Sequence, residues 1–194
     1  MPRTEPMIRA SYAKTVIGGI KRRSAAEQVA MFDSIGHGAR EEIRNYGMLD
    51  WMPAARFAAL VSAIDDAVGA VAAKDFWREN LLLSLDRRLL TPLRLGAIAI
   101  YGDSPRSLLK MTPQAWELVS RNCGTCQTTD RPPTAITLRF ESLPSVLCNA
   151  GMYALWSGGT ESCIEKMGYE GWAQADSSHA RDGIVEINVE WQAK

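Results

Sequence analysis

The sequence predicts an α+β fold, in which an N-terminal helical region precedes a four-stranded antiparallel sheet in a β-β-α-β-β order. Three observations predict it. From Ile184 to Trp191 the apolar residues Val185, Ile187, Val189 and Trp191 alternate with Glu186, Asn188 and Glu190, the period of a strand with one buried face. The stretch Thr134–Phe140 alternates in the same way, with Ile136, Leu138 and Phe140 opposite Thr137 and Arg139. Before residue 121, apolar residues recur instead at helical spacing behind recognisable start signals.

In chain order, Ser24-Ala25-Ala26-Glu27 is a capping box, so a helix is expected from there, carrying Val29, Ala30 and Phe32 until Gly36-His37-Gly38 interrupts it. A second short helix runs through Ile43 and ends at Gly47. Phe57, Leu60, Val61, Ile64 and Val68 fall on one stripe of the strongest helix, with Pro53 suited to its first turn and Asp65 and Asp66 on its wet side. Trp77, Leu81, Leu82 and Leu85 mark another amphipathic helix, and Ser104-Pro105 and Thr112-Pro113 each place a capping hydroxyl before a helix-starting proline. Cys123–Thr129 is expected to pair with Thr134–Phe140 as a hairpin across Asp130-Arg131-Pro132-Pro133. A helix over residues 146–167, opened by Pro144 and Ser145, and a closing hairpin of Trp172–Ser178 and Ile184–Trp191 complete the unit.

At 194 residues and no net charge, the chain is expected to form a single domain over 1–194, mainly helical over 1–121 and ββαββ over 122–194. Charge balance argues against a nucleic-acid partner. No apolar run reaches the roughly 20 residues of a membrane helix, and Met1-Pro2-Arg3-Thr4-Glu5-Pro6 lacks the apolar centre of a signal peptide. A cytoplasmic protein with free thiols and no membrane insertion is therefore expected.

The order of an early helical region, a Trp51-Met52-Pro53 junction before an amphipathic helix, a strand pair, a glycine-containing helix through Gly151 and a last strand ending in Trp191 resembles a large myxobacterial paralogous family of unknown function. That family is itself similar to the vinyl-reductase-type small-molecule-binding domains, the heme nitric-oxide-binding domains and the trafficking-particle subunits. The resemblance implies a cytosolic α+β module, a homodimer, with an apolar ligand cavity between helices and sheet in some relatives. The heme-binding relatives use an axial histidine and a Tyr-x-Ser-x-Arg motif. The chain departs from both, since Tyr101-Gly102-Asp103-Ser104-Pro105-Arg106 has the residue types at another spacing, so no heme is expected.

The reactive residues are few. Cys123-Gly124-Thr125-Cys126 is a C-x-x-C that offers half of a zinc site or a redox pair, with incidental thiols as the plainer reading. Cys148 and Cys163, fifteen residues apart on the expected helix, lie about 22 Å apart along its axis and cannot share a metal unless that helix is broken. His37 and His179 read as solvated loop residues without a catalytic neighbour. Gly18-Gly19 and Gly158-Gly159 lack the context of a phosphate loop and read as breaks or close packing points, and Lys21-Arg22-Arg23 as a solvated helix start.

The better signal is apolar. Trp116, Cys148, Met152 and Trp156 are the candidate ligand-binding residues, bordering a cavity opened by Gly151, Gly158 and Gly159 between the 146–167 helix, the sheet and the early helices. Two functions follow: a non-enzymatic sensor or regulatory module that binds a small apolar molecule and acts through a protein partner, or an adaptor with a filled core that acts through its surface. An enzyme is the weaker reading, because no dinucleotide fingerprint or catalytic constellation is visible.

Overall fold

The computed structural model describes residues 4–85, 91–131 and 133–193, so Met1–Arg3 of the expected N-terminus, residues 86–90, Pro132 of the expected hairpin connection and Lys194 lie outside the described residues. The chain opens on β1 (Met7–Arg9) and continues through α1 (Ala10–Ile20), α2 (Ala25–Ile35), α3 (His37–Asn45), β2 (Trp51–Pro53), α4 (Ala54–Val68) and α5 (Ala70–Leu85). Next come α6 (Thr91–Tyr101), α7 (Pro105–Leu109), α8 (Thr112–Val119) and β3 (Ser120–Arg121). The hairpin β4 (Thr125–Arg131) and β5 (Ala135–Glu141), a 3-10 turn, α9 (Ala150–Lys166), β6 (Tyr169–Asp176) and β7 (Val185–Ala193) complete it.

The β-β-α-β-β unit forms as its alternation dictates. Its four strands are antiparallel in the order β4-β5-β7-β6, with Ile136 opposite Val189, Leu138 opposite Ile187 and Phe140 opposite Val185. These side chains share one buried face with Trp191. Thr137, on the other face, is also buried and donates to Asn188 Oδ1 at 3.0 Å. A second, small sheet in the order β2-β1-β3 was not expected, because strands of two or three residues are too short to show a period. Among the described residues no helix is long and apolar enough to cross a membrane.

Several helical details differ from expectation. The capping box forms, with Ser24 Oγ accepting from Glu27 N at 3.3 Å and Ser24 N donating to Glu27 Oε2 at 3.1 Å. Gly36 ends α2 at φ 76°, but His37 already begins α3 instead of lying in a loop. Pro105 and Pro113 do sit in first turns, whereas the Ser104 hydroxyl does not cap and Thr112 lies inside α8. Asp65 is half-buried, and burial together with the neighbouring Asp66 raises its pKa. Lys21-Arg22-Arg23 is a clasp as well as a helix end, since Arg22 donates to Asn80 Oδ1 at 3.0 Å and Arg23 pairs with Glu79 at 2.9 Å, both on α5.

The face that α5 buries is also displaced from the expected leucines: Ala73, Phe76, Trp77, Asn80 and Ser84 are buried, while Leu81, Leu82 and Leu85 are only half-buried. The reason lies in α9, which packs between the sheet on one side and α4 and α5 on the other. A Cβ on Gly158 would stand 2.2 Å from the Lys74 carbonyl oxygen, and one on Gly151 would stand 3.0 Å from the Val61 backbone. The gap expected at these glycines is therefore occupied by neighbouring backbone, and small or polar α5 residues suit so close an approach. Gly19, inside α1 and not a break, makes room for a side chain instead, since a Cβ there would stand 2.5 Å from Asn80 Oδ1.

The start of α9 is set by Asn149, whose Oδ1 accepts from Met152 N at 3.0 Å and from Ser62 Oγ at 3.3 Å. Cys148 consequently precedes the helix, which corrects the placement of Cys148 and Cys163 on one helix. A polar clasp holds the helical layer to the sheet edge. Lys74 Nζ pairs with Glu161 at 2.6 Å and donates to Ala173 O at 2.9 Å, while Ala173 N donates to Glu161 Oε1 at 2.9 Å.

Two sets of substitutions check this packing by urea unfolding. Gly158→Ala is expected to destabilise by roughly 1–3 kcal/mol through overpacking. Gly159→Ala, which meets only the movable Leu81 side chain at 3.2 Å, is expected to be neutral or to gain up to about 1 kcal/mol of helix propensity. Asn149→Ala should cost about 1 kcal/mol by removing the cap of α9.

Candidate functional site

Three elements bring the candidate aromatic residues together. Trp116 comes from α8, Phe140 from β5 and Trp156 from the sheet-facing side of α9. Phe140 and Trp156 stack at 4.6 Å between ring centres, and Trp116 meets both edge-on, at 5.4 Å to Phe140 and 6.1 Å to Trp156. Tyr153 lies alongside at 6.3 Å from Trp156. Met152, one turn before Trp156, is fully buried. Phe140 is the member that sequence reasoning passed over, although its place on the buried face of an alternating strand was legible.

Trp116 and Trp156 are only 8% and 7% exposed, yet among the described residues neither indole Nε1 has a hydrogen-bond partner, and the same holds for Trp77 on α5. An unpaired buried donor carries a penalty of about 1–3 kcal/mol, so these N–H groups are places where an acceptor would be stabilised. Cys148 stands at the edge of the group: it is half-buried, its thiol directed to the Pro144 carbonyl at 3.9 Å, and burial pushes its pKa up.

The other candidates are separated from this cluster in their chemistry. Cys123 and Cys126 are both buried thiols. Cys123 donates to the carbonyls of Arg121 at 3.2 Å and Met7 at 3.4 Å. Burial pushes the Cys126 thiol up to about 12, away from the thiolate that metal binding requires. Among the described residues no three His, Cys, Asp or Glu side chains gather as a metal site would need. Cys163 and Tyr12, both half-buried, are likewise pushed up to about 12 by desolvation. Arg106 of the Tyr101–Arg106 segment is engaged elsewhere, pairing with Asp130 at 2.8 Å and donating to Pro133 O at 2.8 Å.

Both histidines of the chain are on the outside. The His37 side chain is 80% exposed at the head of α3, and His179 is 70% exposed on the turn before β7. Neither imidazole reaches the interior, so the residues present do not fit a heme held through histidine. Among the described residues, two of the surface cavities lie away from this cluster. One, of about 270 Å³, lies between Arg78, Glu161, Glu165 and Tyr169, and the other, of about 180 Å³, lies between α2, α3 and α4. Neither borders Trp116 or Trp156.

No protein-family model matches the chain, and no curated protein matches it. Solved structures do. A mutant of the unliganded Fe(II) H-NOX protein from K. algicida aligns with a TM-score of 0.63 over 97% of this chain and 98% of its own, at 9% identity. A mutant of the T. Tengcongensis H-NOX protein aligns with a TM-score of 0.62 over 95% and 98%, at 11% identity. A structure from work on heme distortion in the H-NOX family aligns with a TM-score of 0.63 over 96% and 95%, at 13% identity. This likeness overturns the expectation that heme is excluded. The chain has the H-NOX fold.

Proposed function

We propose that the chain is a small-molecule sensor module that takes up its ligand beside the Trp116–Phe140–Trp156 cluster and passes the occupancy to a protein partner. The observation that carries this reading is the pair of buried indole N–H groups without acceptors, set where α8, the sheet and α9 converge. A ligand with an apolar body and one acceptor would stack on the rings and relieve the unpaired donors. Heme, named for an H-NOX structure of the same fold, is the first ligand to test, followed by small apolar carbonyl compounds. Cys148, Met152 and the edge of Tyr153 would border such a ligand, and occupancy would be felt by α8 and α9 together because both contribute rings.

An adaptor with a filled core is favoured by one observation, the backbone contacts at Gly151 and Gly158. Those contacts lie toward α4 and α5, whereas the indole pair lies toward α8 and β5, so they do not occupy the same space.

Native mass spectrometry and absorption spectroscopy of protein produced with ample heme supply distinguish the two. The sensor reading expects a retained mass, with a Soret band if that mass is heme. It also expects Trp116→Phe and Trp156→Phe, which keep a ring but remove the N–H, to lower retention without loss of melting temperature. The bare subunit mass after exposure to heme and to a panel of small apolar carbonyl compounds would instead support the adaptor.

A further inference from the structure

The outer face of the small sheet carries a charge arrangement that the fold itself leaves unused. Arg9 and Trp51 stand directly opposite each other on β1 and β2, and Arg121 on β3 pairs with Met7 across the other edge of β1. The guanidinium carbon of Arg9 lies 3.8 Å from the centre of the Trp51 ring, and that of Arg121 lies 4.1 Å from it. Two planar groups this near one ring centre would collide on a single face, so they take opposite faces of the indole. Each gains from the ring quadrupole and from flat stacking.

Among the described residues neither Arg9 nor Arg121 forms an ion pair, whereas Arg23, Arg106 and Arg139 each hold a carboxylate. Arg9 gives one N–H to the Leu49 carbonyl at 2.6 Å, which leaves its other donors available. The turn that it braces holds Met48 and Leu49 outward, 57% and 81% exposed. Arginine, tryptophan and methionine are enriched where proteins meet, and stacked guanidiniums lose little further freedom on binding.

We propose that the Arg9–Trp51–Arg121 stack, with Met48 and Leu49 at its edge, is a docking surface for an acidic segment of a protein partner. The segment brings carboxylates to the two guanidiniums and apolar side chains to Met48 and Leu49. Charge complementarity selects this occupant. In a two-fold contact with a second copy the face would meet itself, cation against cation. A free anion such as phosphate would use the guanidiniums but gain nothing from the exposed apolar pair.

The test is fluorescence anisotropy of the full chain with three labelled peptides: alternating aspartate and leucine, the same peptide with asparagine for aspartate, and the same with lysine. The aspartate peptide is expected to bind in low salt and to weaken as salt rises, with the asparagine and lysine peptides at least about tenfold weaker. The R9Q/R121Q double variant should lose about tenfold, and the single variants Arg121→Gln and Leu49→Ser, at exposed positions that leave the melting temperature unchanged, should each lose several-fold. Equal affinity for the aspartate and asparagine peptides, no binding of the aspartate peptide, or an unchanged affinity in Arg121→Gln would overturn the proposal. So would displacement of the peptide by inorganic phosphate at matched ionic strength, which would identify a small-anion site instead.

Discussion

At Gly158 the carbonyl of Lys74 stands where a side chain would otherwise begin, and the distance between α5 and α9 follows from that one contact. A helix that approaches another so closely surrenders side-chain volume on that face and must find its apolar burial elsewhere. On α9 this is done by Met152, Leu155, Trp156 and Ile164, while the buried hydroxyls of Thr160 and Ser162 are satisfied inside the helix, by Trp156 O at 2.7 Å and Gly159 O at 2.6 Å. The shift of the α5 buried face from its leucines to Ala73, Asn80 and Ser84 is the matching adjustment on the other side. A helix buried around most of its circumference shows little amphipathic bias, and α9 is such a helix.

With that separation set, the sheet and the helical layer are joined by two dissimilar connections. At the β6 edge the Lys74–Glu161–Ala173 clasp is polar and geometrically specific. Toward β5 the connection is aromatic, through Phe140 stacked on Trp156 and capped edge-on by Trp116. The aromatic connection leaves hydrogen-bonding capacity unspent, which is costly in a structural core and useful in a recognition surface. That contrast is why the ligand reading is attached to this side of α9 and the structural role to the other.

The surface divides in a related way. Arg106 and Lys110 both converge on Asp130, at 2.8 Å each, so the charges beside the β4–β5 turn are spent within the fold and hold the Asp130 carboxyl below its usual range. The guanidiniums around Trp51 are stacked on its ring and, among the described residues, are spent on no carboxylate. Net neutrality of the chain therefore hides a local imbalance, because charge counted along a sequence says nothing of which charges end up adjacent.

What the sequence determined by itself was the part of the structure governed by local periodicity and local capping. The β5 and β7 alternation, the hairpin between β4 and β5, the Ser24–Glu27 box and the stripe Phe57, Leu60, Val61 and Ile64 were all readable, because each depends on residues a few positions apart. Trp116, Met152 and Trp156 were also recognisable as inward-facing. Only the tertiary structure decided that Gly151 and Gly158 admit backbone instead of a ligand, that Phe140 completes the aromatic group, and that the tiny strands around Arg9 form a sheet. Those outcomes depend on contacts between residues tens of positions apart, and a glycine that makes room looks the same in a sequence whether a ligand or another helix fills it.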